Sequence, residues 1–583
     1  MLVLWMCTLS LQIRNELCLH SGDVLQRCVI LFAMLMPLGT IWSIDAVNAR
    51  FEAGTPAESA ALLRRRLKSR RPDSDVANDS GMHVGNGSPL HMNGEADARD
   101  EAIAILVSPH QADVVDALPP TRTIADFTTL AYMFQICIMY VFSVYHKSGH
   151  EWTVDYTATF YALQLDFFRK PMGDFLLMMP DAWLRFFTWA VWKWEKYGPM
   201  LYFVPFATGP CRLLGAFGFA FMHFSFGLAM RLAMFTYITM AAQTAFIPPM
   251  FWDDIVFTFL RRFSAFSTPL TIVYSPRKPL YRWLACAALE LGLLRGAKMV
   301  RGSDAPSAPR LAVRGPTGDE ATGLDALTAL ARASPLLWWY GWLLRFRPVK
   351  LHARLMLWLA GAADRLLCFE RASVVVETSE RSGNALVAES RDFTSLVFWA
   401  WRNIFALFCI LFILLWCLAN VNAYRGLPAE IHWIGPTLHI GQMWSMFSPH
   451  PPKSQWHFVI KANLTDDTQG DLFPNAGLFK FETLSPLTWE RPDTLVGDIG
   501  NHRWFKIYEA FIWGQGYSDV PALRLGYGRY ICREWNARHT GGSRLWMFEW
   551  WIIHAFVHED GTRTFAGKDV LWEHHCYDTK PTD

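Results

Sequence analysis

Long apolar runs separated by polar breaks set the architecture of this chain. From Thr123 the text TIADFTTLAYMFQICIMYVFSVY is nearly free of charge, and about twenty such residues suffice for a helix to cross a bilayer. Titratable groups return at once in HKSGHEW, as His146, Lys147, His150 and Glu151. A second run, from about Leu25 to Val47, reads as another crossing, and a third, from about Val397 to Val421, as the last one, with Arg402 near its inner end. The opening MLVLWMCTLSLQI is too short to span and reads as the tail of a membrane helix. Ala182 to Phe206 is amphipathic, with Arg185, Lys193, Glu195 and Lys196 in it, and is expected to return inward partly in the interface. Residues 211–247 read as two short spans turning around MHFSFG, which would carry His223 to the same outer side as Lys147. Phe251 to Phe263 reads as an interfacial helix.

Between these runs the character changes twice. Residues 52–122 carry Arg64, Arg65, Arg66, Lys68, Arg70 and Arg71 and then a Ser/Gly/Asn/Asp stretch of low apolar content, the composition of a disordered linker. Its arginines favour the cytoplasmic side. Residues 267–390 begin with a strand-like TPLTIVY, continue into an amphipathic helix from Tyr281 to Lys298, and turn near Gly315 and Gly323, a small soluble α/β insertion. After Leu427 no spanning run follows, and the pattern is of strands and turns. The fold class read from this is mainly α, a multipass transmembrane helical bundle with an α/β insertion and a C-terminal extracytoplasmic β-rich domain. Its divisions are membrane helices over 1–51, the linker over 52–122, a helical core over 123–266, the insertion over 267–390, the last membrane helix over 391–426 and the outer domain over 427–583.

Composition agrees. Of 583 residues 52% are apolar and only 18% charged, with 27 Trp and 42 Phe, too apolar for an ordinary soluble protein. The lipid bilayer is thus the first partner, in a secretory-pathway membrane such as the endoplasmic reticulum for a eukaryotic chain or the inner membrane for a bacterial one. A formal charge of +2 with scattered basic residues gives no footprint for nucleic acid. The 11 Cys show no metal-ligand spacing. His574 and His575 flank Cys576 without further ligands, and no metal site is expected. Cys532 and Cys576 lie in the polar C-terminal region and could form a disulfide in an oxidising compartment. Asn463-Leu464-Thr465 is a possible glycan acceptor in a secretory lumen. Lys147 has two readings, an anchor that snorkels to the interface or a partly buried amine that acts as a base. Glu195 reads most simply as an interfacial partner of Lys193 and Lys196.

Four landmarks in order resemble the HTTM proteins, the membrane domain shared with vitamin K-dependent γ-glutamyl carboxylases. They are WSID from Trp42 to Asp45, KSGHEW from Lys147 to Trp152, MHFSFGLAMRLAMF from Met222 to Phe235, and MWSMFSPHPP from Met443 to Pro452 with the following WHFVIKANLTDDTQGDLF. The insertion resembles the DCC-type thioredoxin-like domain fused to many HTTM proteins. Where that domain has its Y-D-x-x-C-x-x-C signature, this chain has Tyr274 to Tyr281, with Lys278 and Tyr281 in place of the cysteines. Thiol exchange needs both thiols, so the insertion is expected to be degenerate and redox-dead. The resemblance implies reduced vitamin K or a similar quinol as cofactor and a Glu-containing protein or peptide as substrate. Lys147 would be the base and His223 a second catalytic group, with His20, Trp152 and His450 near the cofactor. In that chemistry the lysine deprotonates the quinol, reaction with oxygen generates a stronger base, and a γ-proton leaves the Glu side chain before CO2 adds. The site must be dry. The resemblance also allows a non-catalytic membrane scaffold or maturation factor that binds partner proteins through the insertion or the outer domain. Asp155 stands where the family often has Gly, and the outer domain is much shorter than that of the carboxylases.

Overall fold

The computed structural model describes residues 1–36, 126–260, 269–274, 279–292, 297–301, 311–367, 393–424, 426–476, 481–492, 495–514 and 519–581, with a few isolated positions between. The linker 52–122, the WSID segment and Lys278 lie outside them. The chain is mostly helical, with two small sheets, and divides into two units. One comprises 1–36, 124–248 and 394–583, and the other 37–123 and 249–393.

Among the described residues three helices, all in the first unit, are long and apolar enough to cross a membrane: Phe127–His146, Thr208–Ala229 and Leu396–Asn420 of the helix Phe393–Asn420. Phe127–His146 starts where Asp126 caps it, its carboxylate accepting from the Thr129 N–H at 3.0 Å. The other oxygen of Asp126 takes a 2.9 Å ion pair from Arg402, which ties the starts of the first and last of these helices together. Halfway along, Gln135 and Gln442 exchange hydrogen bonds at 2.9 Å, and Trp444 donates to Gln442 at the same distance, so buried amides are satisfied within an apolar core.

Two expectations change here. MHFSFG is helix interior: Thr208–Ala229 runs through it unbroken, and the chain reverses only at 230–234, where Ala233 takes φ +49°, before the short helix Phe235–Gln243. Nothing in MHFSFG removes a backbone donor, so the helix has no cause to stop there. Of the crossing expected from about Leu25 to Val47, the described part is helix Ser21–Leu35, which ends where Met36 turns extended, and most of the rest lies outside the described residues. Asp181–Tyr197 is a 17-residue helix with only Leu184, Thr188 and Glu195 buried.

The C-terminal part of this unit is a sheet of antiparallel strands in the order β6-β5-β7-β8, with β5 Ser454–Leu464, β6 Gln469–Asp471, β7 Leu545–Val557 and β8 Arg563–His575. Inward residues alternate along the pleat, and Phe458, Ile460, Phe548 and Trp550 pack under helices His502–Trp513 and Val520–Asn536 through Tyr508 and Ile531. The β-rich domain is therefore a sheet with helices laid on it. Its helices carry their own caps, Asn501 and Asp519. Cys532 and Cys576 are joined in a disulfide, with Cα atoms 5.4 Å apart, holding the second helix to the chain beyond β8.

The second unit holds the other sheet, in the order β2-β1-β3-β4. Strand β1 (Thr271–Tyr274) is parallel to β2 (Lys298–Arg301) and antiparallel to β3 (Leu311–Arg314), which pairs with β4 (Glu320–Thr322). Helix Pro279–Leu291 makes the β1-to-β2 crossover, and Gly323–Ala333, Trp338–Leu343 and Arg347–Leu367 follow β4. Ile272, Tyr274, Leu289 and Leu330 form the core.

Candidate functional site

Lys147 is the C-cap of helix Phe127–His146 and lies one helical turn beyond Ser143 and two beyond Tyr140, so the three share one face. That face points inward. Lys147 is 5% exposed and donates to Glu195, itself 5% exposed, on helix Asp181–Tyr197. Its Nζ also lies 4.8 Å from the centre of the Trp152 ring, a cation–π contact. The anchor reading of Lys147 fails, because a snorkelling ammonium would be solvated. So does the surface pairing of Glu195: Lys193 and Lys196 lie over the rings of Trp192 and Tyr197 instead, while Glu195 is buried against Lys147.

Lys147, Glu195 and Trp152 line a cavity of about 670 Å³ that also takes in Tyr140, Ser143 and His223. The rest of its wall is apolar apart from Thr159 and Ser225, and Phe186, Phe221 and Leu228 among its lining residues are exposed. His223 is 2% exposed. Its Nε2 lies 2.9 Å from the Tyr140 hydroxyl, which accepts from Gln243 Nε2 at 3.1 Å, while Gln243 Oε1 accepts from Tyr202 at 2.5 Å. With Gln243 donating to the Tyr140 oxygen, the Tyr140 proton is free to go to His223 Nε2. The imidazole then keeps its own proton on Nδ1, and that atom is buried without a hydrogen-bond partner.

A second cavity, of about 850 Å³, lies on the other side of Leu232, Phe235, Met446 and Phe447, which face both. It runs between the start of helix Ser21–Leu35 and the sheet domain and is lined by His20, Asp166, Gln455, Trp456, His502 and Lys506 among others. His20 caps its helix: Nδ1 accepts the Gly22 N–H at 2.9 Å and Asp23 accepts the His20 N–H at 2.9 Å. A neutral His20 must therefore carry its proton on Nε2, and this buried atom makes no hydrogen bond, lying 3.6 Å from Asp23 Oδ2. The His502 ring packs edge-on against it, centroids 5.0 Å apart, with Nδ1 likewise unpartnered. Burial pushes His20 down to about 4, against the pull of Asp23, which is itself held by Arg503 at 2.7 Å. Burial, with the nearby His20 and Lys506, pushes His502 down to about 3. Both imidazoles are neutral at pH 7; His502 hydrogen-bonds the Arg231 backbone through its other nitrogen, which leaves Nδ1 a lone pair, while His20 offers an N–H donor. Gln455 Oε1, on the same wall, is a third buried atom without a partner.

His450 lines neither cavity. It is mostly exposed and holds Glu151 Oε2 at 2.7 Å, while Lys453 holds the other oxygen at 2.7 Å. Burial alone would raise the Glu151 carboxyl, but these two hydrogen bonds outweigh it and keep it at about 2. With Trp152 Nε1 donating to Phe447 O and Gly149 N–H to Pro449 O, the group clamps the 447–453 loop over the end of the Lys147 helix. Thus Lys147, Trp152 and His223 come together, His20 stands in the adjoining cavity, and His450 positions a loop.

Sequence reasoning missed Tyr140, Glu195 as the partner of Lys147, Gln243 and His502. The seven-residue spacing of Tyr140 and Lys147 was a usable signal; His502, some 480 residues from His20, left none. Asn463 lies on β5 between β6 and β7, half-buried, with Oδ1 buried and unpartnered, whereas a glycan acceptor needs an exposed loop. Among the described residues no group of three His, Cys, Asp or Glu side chains is placed to hold a metal ion. Compared with protein-family models, curated proteins and solved structures, the chain has no match.

Proposed function

We propose that this is an HTTM-type integral membrane protein that works on a quinol-type ligand in the apolar cavity, with Lys147 as the base of a carboxylase-like reaction. One observation carries the reading: a buried lysine–carboxylate pair faces a mostly apolar cavity that is also lined by a hydrogen-bonded tyrosine and histidine. The fit to a ligand of this class is reasonable. An aromatic ring with an isoprenoid tail needs apolar walls and a lipid-side opening, which the exposed Phe186, Phe221 and Leu228 would provide, and a ring hydroxyl or carbonyl needs a partner, which His223 Nδ1 lacks.

A bound reduced quinone would supply an acidic hydroxyl and, with oxygen, the strong base that carbon deprotonation demands. The protein's share is proton handling. The Lys147–Glu195 pair holds one exchangeable proton between an amine and a carboxylate, so whichever atom carries it, the pair still contains a base facing the cavity. Trp152 and Phe447 cover it and exclude water. A Glu-containing peptide would occupy the adjoining larger cavity, where the His20 Nε2–H and the His502 Nδ1 lone pair match the two halves of an uncharged carboxyl group. The insertion's strand order, a β-α-β unit followed by an antiparallel hairpin and helix, supports the degenerate thioredoxin-like reading.

The test is labelled CO2 incorporation into a Glu-containing peptide by the full chain in nanodiscs with reduced vitamin K, beside Lys147→Ala and Glu195→Gln. Incorporation lost in both variants supports the reading; equal background in all three sinks it. A photoreactive quinone supplies a readout independent of turnover, since labelling within 186–228 that excess quinol competes away is expected. The second reading, a non-catalytic scaffold or maturation factor, is favoured by Tyr281 standing where a resolving thiol would be, and it predicts no quinol-competed labelling.

A further inference from the structure

The second unit carries an unusual surface of its own. Trp338, Trp339 and Trp342 on helix Trp338–Leu343 are each about half exposed, and Leu351, Leu355 and Trp358 form an exposed stripe along helix Arg347–Leu367. Spacings of four and three place these three on one helix face. The inward side of the helix is marked by the buried Ala353, so the exposed stripe is not the face with which it packs. Apolar surface of this extent is rare on a soluble domain and marks an interaction site.

Charge identifies what covers it. Between Asp325 and Asp364 the chain has no acidic residue, whereas Arg345, Arg347, Lys350 and Arg354 are all exposed. On the second helix Arg347, Lys350 and Arg354 form a stripe directly beside the apolar one. A protein groove that fits tryptophans would be matched by scattered charges of either sign. Tryptophan at an apolar–polar boundary flanked by a purely basic border is instead the chemistry of the headgroup layer: indole sits at the interface, long basic stems snorkel, and anionic headgroups supply the countercharge. A bilayer is also close at hand, since the same chain has three helices able to cross one.

We propose that helices Trp338–Leu343 and Arg347–Leu367 form a bilayer-docking surface that lays the insertion on an anionic leaflet, the tryptophans entering the headgroup boundary and the four basic residues contacting lipid phosphates. This makes the insertion a peripheral membrane element, and its role is independent of the cavity chemistry proposed above. Because the attraction is largely electrostatic, it weakens as salt rises.

The test is hydrogen–deuterium exchange of the full chain in nanodiscs of phosphatidylcholine alone, in nanodiscs with 30 mol% phosphatidylglycerol (roughly the anionic level at which basic clusters bind), and in lipid-free amphipol. Amides of 336–359 should exchange roughly tenfold more slowly in the anionic discs than in amphipol. Arg345→Glu/Arg347→Glu/Lys350→Glu/Arg354→Glu should abolish the difference between the two lipids, and Trp338→Ser/Trp339→Ser/Trp342→Ser should lower protection in both. Peptides across β3 and β4 report whether the unit stays folded in each variant. Equal exchange in all three settings overturns the proposal, and so does protection that persists in amphipol, which would mean that protein covers the surface.

Discussion

Lys147 and Glu195 neutralise each other inside the protein, across 48 positions of sequence, with each side chain less than a tenth exposed. Taking two charges out of water costs several kcal/mol per ion; their attraction and the Trp152 face offset that cost only while both are present. Glu195→Gln should therefore destabilise the protein by about 3–5 kcal/mol, by leaving an uncompensated ammonium. The double change Lys147→Met/Glu195→Leu, which removes both charges and keeps the volume, should recover most of that loss. Thermal unfolding of the three proteins in one detergent checks this; a double variant no more stable than Glu195→Gln would refute it.

Tyr140 is the middle member of a chain of side chains from Tyr202 through Gln243 to His223. Tyr140→Phe removes an oxygen that serves two partners and leaves the shape of the cavity wall almost unchanged. The expected loss is about 1–3 kcal/mol, the cost of stranding buried polar atoms. His223→Leu strands only one group and should cost less than Tyr140→Phe. Unfolding midpoints decide the order.

How much of this was readable in the sequence follows from the range of each interaction. Length and apolar content identify the helices that begin at Phe127 and Phe393, because crossing a bilayer is a local demand on about twenty consecutive residues. The end of the first one is also local, which is why Lys147 and Trp152 stand out. The partner of Lys147 is not local. Glu195 sits among Lys193 and Lys196, and which of the three turns inward depends on how helix Asp181–Tyr197 is rotated against Phe127–His146. The turn expected at MHFSFG shows the converse error: a histidine in an apolar run was read as a surface marker, although it is buried in the core with Nε2 bonded to Tyr140. In the C-terminal domain, Phe505, Tyr508 and Phe511 repeat at helical spacing behind the capping Asn501, a local signal that the reading of strands and turns passed over.

The Cys532–Cys576 disulfide closes a 44-residue separation that contains all of β7 and β8. In the chain-entropy account a loop of that size restricts the unfolded state by about 4 kcal/mol. Cys532→Ser/Cys576→Ser should lower the stability of the sheet domain by up to that amount and hardly alter the Lys147 cavity, which none of the linked residues line. Reductant should lower the unfolding midpoint of the native protein and leave that of the variant unchanged. Equal sensitivity to reductant in both would place the stabilisation elsewhere.

Acid should loosen the seam between His20 and His502. Both rings are held neutral, His20 at about 4 and His502 at about 3, whereas in the unfolded chain a histidine takes a proton near 6.5. Between those values the unfolded state binds more protons, so the stabilising contribution is fully present above about pH 6.5 and is lost as pH falls toward the folded values. At about pH 5 the loss is roughly 2 kcal/mol for each ring. Asp23 lies beside His20 but is already committed to Arg503, and Lys506 nearby adds like charge. Other groups titrate near this range: Asp471, raised to about 6 by burial, gives a slope of the opposite sign, and Glu151, at about 2, loses its contribution only as pH falls below about 5. The comparison that isolates the pair is His20→Asn/His502→Phe, because asparagine keeps the helix cap and phenylalanine fits among Phe167, Phe168 and Phe505. Asp471 and Glu151 are common to both proteins and cancel. The unfolding midpoint of the native protein should fall between pH 7 and 5 more steeply than that of the double variant. Parallel curves would mean that water reaches these rings in the folded protein, and with it the cavity assigned to the peptide substrate would lose its dry polar wall.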